Sequence, residues 1–335
     1  METIHDLPAF RNKLCSSIAF FVLSQATKLC FIAKQGIRTP EQQMIGFTTL
    51  KRVLLATASL GFAAHAAAAN LTLDVYNPGA NAIFPVTSVL VSGEKDAILV
   101  DAQFGKSQAE QVVEKIRASG KQLTTIYISH GDPDYYFGLD TLTQAFPNAK
   151  VLASQPTVYH INQTVAGKLA FWGPKMGADV PAKTIVPGVL KGDSLMLEGQ
   201  KLQVVGLEGK QPDRSFVWIP SLKAVVGGVV VAENIHVWMA DTQTAQSHAD
   251  WLQTLHSIET LKPKTVVPGH YLGDSGRSLA SVKFTADYIK AFDAETAKAK
   301  DSAALIAAMK KRYPALGEES SLELSAKVAK GEMKW

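Results

Sequence analysis

His130, Asp132 and Asp134 recur at every second residue in Ser129-His130-Gly131-Asp132-Pro133-Asp134-Tyr135-Tyr136-Phe137-Gly138, directly after the apolar run Ile126-Tyr127-Ile128. Side chains alternate along an extended chain, so a loop leaving a strand in that form directs all three toward one point. One imidazole and two carboxylates converging there make a divalent-metal or an acid/base site. A second reading is equally open at this level. Gly131 and Pro133 would bend a polar turn, and the aspartates would cap the following helix.

The elements that must position this loop alternate between strand and helix. Period-two patterning predicts strands over 71–76, 87–91 and 97–101, joined by turns at Asn77-Pro78-Gly79 and 92–96. Asp101 ends the third strand, as a loop cap or at the edge of a site. A helix over 107–119 carries Val112, Val113 and Ile116 on one stripe and stops at Gly120. The strand 124–129 then delivers the loop, a helix follows over 138–146 and a strand over 151–153.

From 156 to 191 the pattern loosens, and Phe171-Trp172-Gly173-Pro174 falls in an irregular or helical insertion of the kind that covers a pocket. Strands resume at 194–197, 201–207, 215–219 and 224–231. A helix over 244–261 leads to a strand at 265–267, which ends in the turn Pro268-Gly269-His270. Residues 284–312 read as one helix and the tail to Trp335 as partly helical. No fixed-period repeat interrupts this order, which describes a layered α/β fold made of two similar halves.

With these elements placed, the chain resembles the metallo-β-lactamase superfamily over roughly residues 71–288. The anchors are Asp101, the loop 129–138, the glycine pair Gly227-Gly228 and Pro268-Gly269-His270, in that order. The resemblance implies an α/β fold: an αββα sandwich of two mixed β-sheets flanked by helices. In that family the loop reads H-x-H-x-D-H. His130 stands at the first His position, Asp134 at the Asp position and His270 at the last His. Asp132 and Tyr135 replace the other two loop histidines, Gly228 replaces a bridging Asp, and Lys210 aligns with the middle His.

What the resemblance then implies is one divalent ion, zinc first and manganese or iron next, held by His130, Asp132, Asp134 and His270 in place of a di-zinc centre. A Tyr phenol ligates only when its proton is lost, and a protonated Lys cannot ligate at all. The implied chemistry is hydrolysis of an ester, lactone, amide or similar bond in a small-molecule substrate. Metal and Asp134 would activate water, and Tyr135 or Lys210 would donate to the oxyanion. The alternative is a catalytically inactive or metal-free binding protein, in which the same residues form an ion-paired cluster. Asp241 is a further carboxylate near the missing position. His236 packs or reaches the pocket, and His160, His248 and His256 read as surface or structural. Trp172, Trp218 and Trp238 read as core or pocket wall.

Charge and composition exclude some partners. The net charge of +4 over 335 residues is mild and its Lys and Arg are scattered, so nucleic acid is not expected. Residues 44–69 run from Lys51-Arg52 through an apolar segment to Ala-rich small residues, the order of a secretory signal peptide, and the apolar run is too short for a stable membrane span. The expected product is a periplasmic or secreted chain beginning near 67–70. Residues 1–43 are then an upstream extension from a mis-set start, or a weak anchor over Leu14 to Ala33. Both cysteines, Cys15 and Cys30, lie in that extension, so the mature chain has no disulfide. The remaining boundaries are a domain over 70–290 and a helical extension packed on it over 291–335. Oligomeric state is not legible.

Overall fold

The computed structural model describes residues 70–335. The signal segment 44–69, the extension 1–43 with its Leu14 to Ala33 stretch, and both cysteines lie outside the described residues. The first sheet is built by strands rich in β-branched and aliphatic residues: β1 (Thr72–Tyr76), β2 (Ser88–Ser92), β3 (Asp96–Val100), β4 (Gln122–Ile128), β5 (Lys150–Ala153) and β6 (Gly188–Val189). They lie in sequence order across the sheet. The pairs β1/β2 and β2/β3 are antiparallel hairpins. From β3 onward the pairing turns parallel, through the crossover helices α1 (Lys106–Ala118) and α2 (Pro133–Tyr136) with α3 (Leu139–Ala145).

The second sheet contains β7 (Ser194–Leu197), β8 (Gln200–Val205), β9 (Phe216–Ile219), β10 (Ala224–Val226) and β12 (Thr265–Val266), in the order β12-β10-β9-β8-β7. A short parallel pair, β11 (Ala232–Glu233) with β13 (His270–Tyr271), sits apart and carries His270. One core fills the space between the sheets, with Val89, Val91, Ile98, Val100 and Tyr127 meeting Leu195, Leu202, Val204, Val217 and Val226. A second core packs α1 and α3 on the outer face of the first sheet. A third packs α5 (Ala245–Thr260) and α6 (Leu279–Lys298) on the second. The layers are therefore helix, sheet, sheet, helix, the arrangement the family resemblance implies.

Several elements differ from their sequence expectation, and the strand expected over 224–231 ends at Val226, where the glycine pair takes positive φ. The loose segment after 156 is a 22-residue helix, α4 (Gln155–Met176). Ser154 caps it by accepting from the Thr157 N–H, and Pro174 falls inside its last turn. The helix expected over 284–312 is two helices, α6 and α7 (Ser302–Arg312). Asp301 breaks the run as an N-cap, its Oδ1 accepting from the Ala304 N–H at 2.8 Å. Leu305 and Met309 of α7 and Leu322 and Ala326 of α8 (Glu319–Ala329) join the same core as Trp251 and Ile289. Each fully buried large aliphatic side chain of this set contributes about 1.5–3 kcal/mol. Among the described residues, no helix is long and apolar enough to cross a membrane.

His236 follows β11 and is buried at 1% exposure, with Nδ1 accepting from the Tyr288 hydroxyl of α6 at 3.1 Å. Burial pushes its imidazole down to about 4 from 6.5. Between those values the unfolded chain binds more protons than the folded one. The stability this group confers is therefore complete above pH about 6.5 and is lost as pH falls toward about 4. Urea denaturation should show that His236→Asn loses roughly 2 kcal/mol less than the parent between about pH 7 and pH 4.5. Equal losses in both chains would contradict this.

Candidate active site

The loop after β4 is set by one buried carboxylate. Asp101, with no exposure and a left-handed φ of 67°, accepts from the Ser129 N–H at 2.8 Å and from the Ser129 hydroxyl at 2.7 Å. The Ser129 Oγ in turn accepts from the Gly228 N–H at 2.7 Å. Burial raises the Asp101 carboxyl to about 7 against those two hydrogen bonds. The stitch joins the ends of β3 and β4 to the glycine pair after β10. Gly228 has φ +82°, and a Cβ there would lie 2.4 Å from the Ser215 carbonyl, so the backbone has taken a conformation closed to the Asp of the family pattern.

The alternating trio does not converge. It divides into two His–Asp pairs. His130 Nε2 meets Asp132 Oδ2 at 3.1 Å, while His270 Nε2 donates to Asp134 Oδ2 at 2.7 Å. Tyr135, fully buried, stands between them, its ring centroid 5.3 Å from His130 and 5.5 Å from His270. Its hydroxyl faces His270 Nδ1 at 3.3 Å, which fixes the His270 proton on Nε2, toward Asp134. Burial, with Asp134 and Asp101 nearby, holds the Tyr135 phenol well above its usual pKa. Asp132 occupies the N-cap position of α2 but makes no capping bond, so the capped-turn alternative is not the use this carboxylate serves.

Two cations complete the cluster, and neither belongs to the sequence-derived set. Lys168, on α4, places its ammonium 3.2 Å from Asp132 Oδ1 and 4.0 Å from Asp241 Oδ1. Burial disfavours its charge, but Asp132 and Asp241 outweigh that and raise its pKa. Arg214, 5% exposed, lies with its guanidinium 4.3 Å over the Trp251 ring, and its Nε and Nη2 have no partner. Burial lowers the Arg214 pKa, opposed by Asp241, Asp213 and Asp132. Lys210, the residue aligned with the family's middle His, is exposed on the turn after β8. The chain turns inward four residues later, so Arg214 reaches the interior and Lys210 does not. Helical position gives one weak signal for Lys168, which precedes Trp172 by one turn on the face that covers the loop.

His160 also belongs to the rim. Its Nε2 lies 3.9 Å from Asp132 and its Nδ1 3.9 Å from Asp213, so it is not the isolated helix histidine that its spacing predicts. His248 and His256 are elsewhere, paired with Asp293 and Glu259. Trp172, Trp238 and His236 line the pocket with Asp132, Asp134 and His270, whereas Trp218 sits in the sheet core.

This arrangement does not fit the divalent ion expected on His130, Asp132, Asp134 and His270. The four candidates split into two pairs around a protonated phenol. Among the described residues, no three or more His, Cys, Asp or Glu are gathered to hold a metal ion. Both nitrogens of His130 face acceptors, Asp132 Oδ2 and the Asp213 carbonyl at 3.0 Å, which makes it a double donor. Burial opposes that charge, but Asp132 outweighs it and raises the His130 pKa. With both nitrogens turned to acceptors, neither is directed at a shared metal position. Burial alone would raise the Asp132 carboxyl, yet Lys168 and His130 hold it well below the usual range, as an anion already matched by fixed cations.

The fold agrees with known proteins. Residues 82–270 match the family described as the metallo-beta-lactamase superfamily. A metallo-beta-lactamase family protein from Thermus thermophilus is similar in structure, with a TM-score of 0.55 and 15% identity over 78% of this chain and 93% of that one. A metallo-beta-lactamase from Pontibacter korlensis aligns over 66% of this chain and 93% of its own, at 20% identity and a TM-score of 0.48. In sequence, the uncharacterised protein YobT of Bacillus subtilis is 38% identical over 74 residues, which are 22% of this chain and 31% of YobT. The chain thus spans about a third of that curated relative. The superfamily generally binds divalent metals. The matched family spans the loop, the glycine pair and the His270 turn, and the sandwich layers agree, so the chain belongs to the metallo-beta-lactamase superfamily.

Proposed function

We propose that this chain is a small-molecule hydrolase, acting on an ester, lactone, amide or similar bond, in which fixed side-chain charges do the work of the family's metals. The observation that carries the reading is the Asp134–His270 pair at 2.7 Å facing the same pocket as Lys168. His270, with Nδ1 toward the Tyr135 hydroxyl, directs its Nε2–H to one Asp134 oxygen. The carboxylate is thereby oriented to take a proton from a water in the pocket as that water attacks the carbonyl carbon. The oxyanion that develops is stabilised by the Lys168 ammonium. Collapse of the tetrahedral species returns the proton from Asp134 to the leaving oxygen or nitrogen. Tyr135, buried and protonated, is a positioning residue through His270. Lys210, exposed, has no part in this scheme.

A second reading, a binding protein of the same fold, is favoured by one feature. Lys168 and Asp132 already neutralise each other at 3.2 Å. A screen of esters, lactones and β-lactams decides between the two. Turnover should fall about 10²- to 10⁴-fold in Asp134→Asn, the range of a lost general base, and about tenfold or more in Lys168→Met. It should survive exhaustive chelation, and elemental analysis of the purified chain should find metal well below one equivalent. Stoichiometric zinc, manganese or iron whose removal abolishes turnover would overturn the metal-independent scheme. Ligand binding without turnover for any of these classes would establish the binding protein instead.

Export is part of the same proposal, supported by the basic, apolar, small-residue order of 44–69. Amino-terminal sequencing of the chain recovered from a periplasmic or culture fraction should begin near 67–70. A chain retained in the cytoplasm with residues 44–69 intact would refute it.

A further inference from the structure

The pocket holding Asp134 and His270 encloses a volume of about 50 Å³, room for a water or two, whereas pockets for small organic ligands enclose about 300–1,000 Å³. Trp335 is one of the side chains that line it. Its indole N–H donates to Asp241 Oδ1 at 2.6 Å. Its ring meets Phe171 edge-on at 5.3 Å and Trp238 at 5.2 Å, and the Lys168 ammonium lies 4.8 Å over its face. The other Asp241 oxygen accepts from the Trp238 indole at 2.6 Å.

These contacts are those of a recognition site. Two aromatic edges set the plane, a cation covers a face, and a carboxylate oxygen reads one in-plane N–H. Burial and the neighbouring Asp132 raise the Asp241 carboxyl, while Lys168 and the Trp335 indole counter them. The slot is therefore built around a ring that brings its own hydrogen-bond donor.

We propose that this slot is a subsite for a planar aromatic ring bearing an N–H or O–H donor, and that Trp335 occupies it as an internal, displaceable ligand. The inference deepens the hydrolase reading and rests on it for one point only, that such a ring presents its reacting carbonyl toward Asp134. While Trp335 is seated, outside rings bind only to the fraction of molecules in which it has left. Trp335→Ala should therefore expose a slot that indole fills.

Isothermal titration calorimetry of the full chain with indole should give at least tenfold tighter binding to Trp335→Ala than to the parent. Indole should also raise the melting temperature of the variant more than that of the parent. 1-Methylindole, which lacks the donor, should bind Trp335→Ala at least about fivefold more weakly than indole, and Asp241→Ala in that background should abolish the difference. If Trp335→Ala melts without cooperativity, Trp335→Phe serves, keeping a ring without the N–H, and should bind indole at least about threefold more tightly than the parent. Equal indole affinity in parent and variant, or equal affinity for indole and 1-methylindole, would overturn the subsite. Because the probe is not a substrate, absence of turnover in the ester, lactone and β-lactam screen would defeat the hydrolase reading and leave this result intact.

Discussion

The buried Asp101 carboxylate is the constraint from which the site follows. It takes both donors of Ser129, and Ser129 takes the Gly228 N–H, so three short hydrogen bonds lock the ends of β3, β4 and β10 together. Strands from both sheets are thereby fixed at one edge of the sandwich, where the loop 129–138 and the His270 turn emerge. Burying a carboxylate is costly unless its lone pairs are met. The two Ser129 donors meet them, and a left-handed backbone at Asp101 is the local strain this geometry carries.

Around that frame the chain balances its charges internally. Asp132 is met by His130 and Lys168, Asp134 by His270, and Asp241 by two indole N–H groups and Lys168. Arg214 lies among Asp241, Asp213 and Asp132. A divalent ion brought into such a cluster meets an ammonium and a guanidinium, each repelling it through a medium of low dielectric. Buried pairs of this kind add little net stability, since the gain is offset by desolvation. Their effect is to hold each carboxylate in one orientation, which general-base chemistry requires and a loose cluster would not provide.

Helices outside the two sheets line the pocket. α4 brings Lys168, Phe171 and Trp172 over the loop, and the segment after α8 brings Trp335 to the same mouth. Neither is part of the two sheets. The layered core is thus shared with the superfamily, while the pocket's size and polarity come from elements outside it.

The strand and helix alternation was legible because the central strands, buried on both faces, are short β-branched and aliphatic runs bounded by turn residues, while each helix buries one stripe at a period of 3.6. It placed β7 without error and most other elements to within a few residues. It ran α6 into α7, since Ala- and Lys-rich sequence favours helix on both sides of Asp301 and only the N-cap bond marks the break. It also left α4 undecided: Val158, Ile161, Val165, Leu169, Trp172 and Met176 recur at helical spacing, but Pro156, Gly167, Gly173 and Pro174 read as breaks along the same stretch. At the site, the types and order of His130, Asp132, Asp134, Tyr135 and His270 were set by sequence alone, as was the family they resemble. Their partners were not. Lys168 lies 36 residues from Asp132, His270 lies 136 from Asp134, and Trp335 lies 94 from Asp241. Which imidazole meets which carboxylate, and whether Lys210 or Arg214 enters the interior, is decided by how the sheets and covering helices pack. Local sequence carries no record of contacts made across such separations.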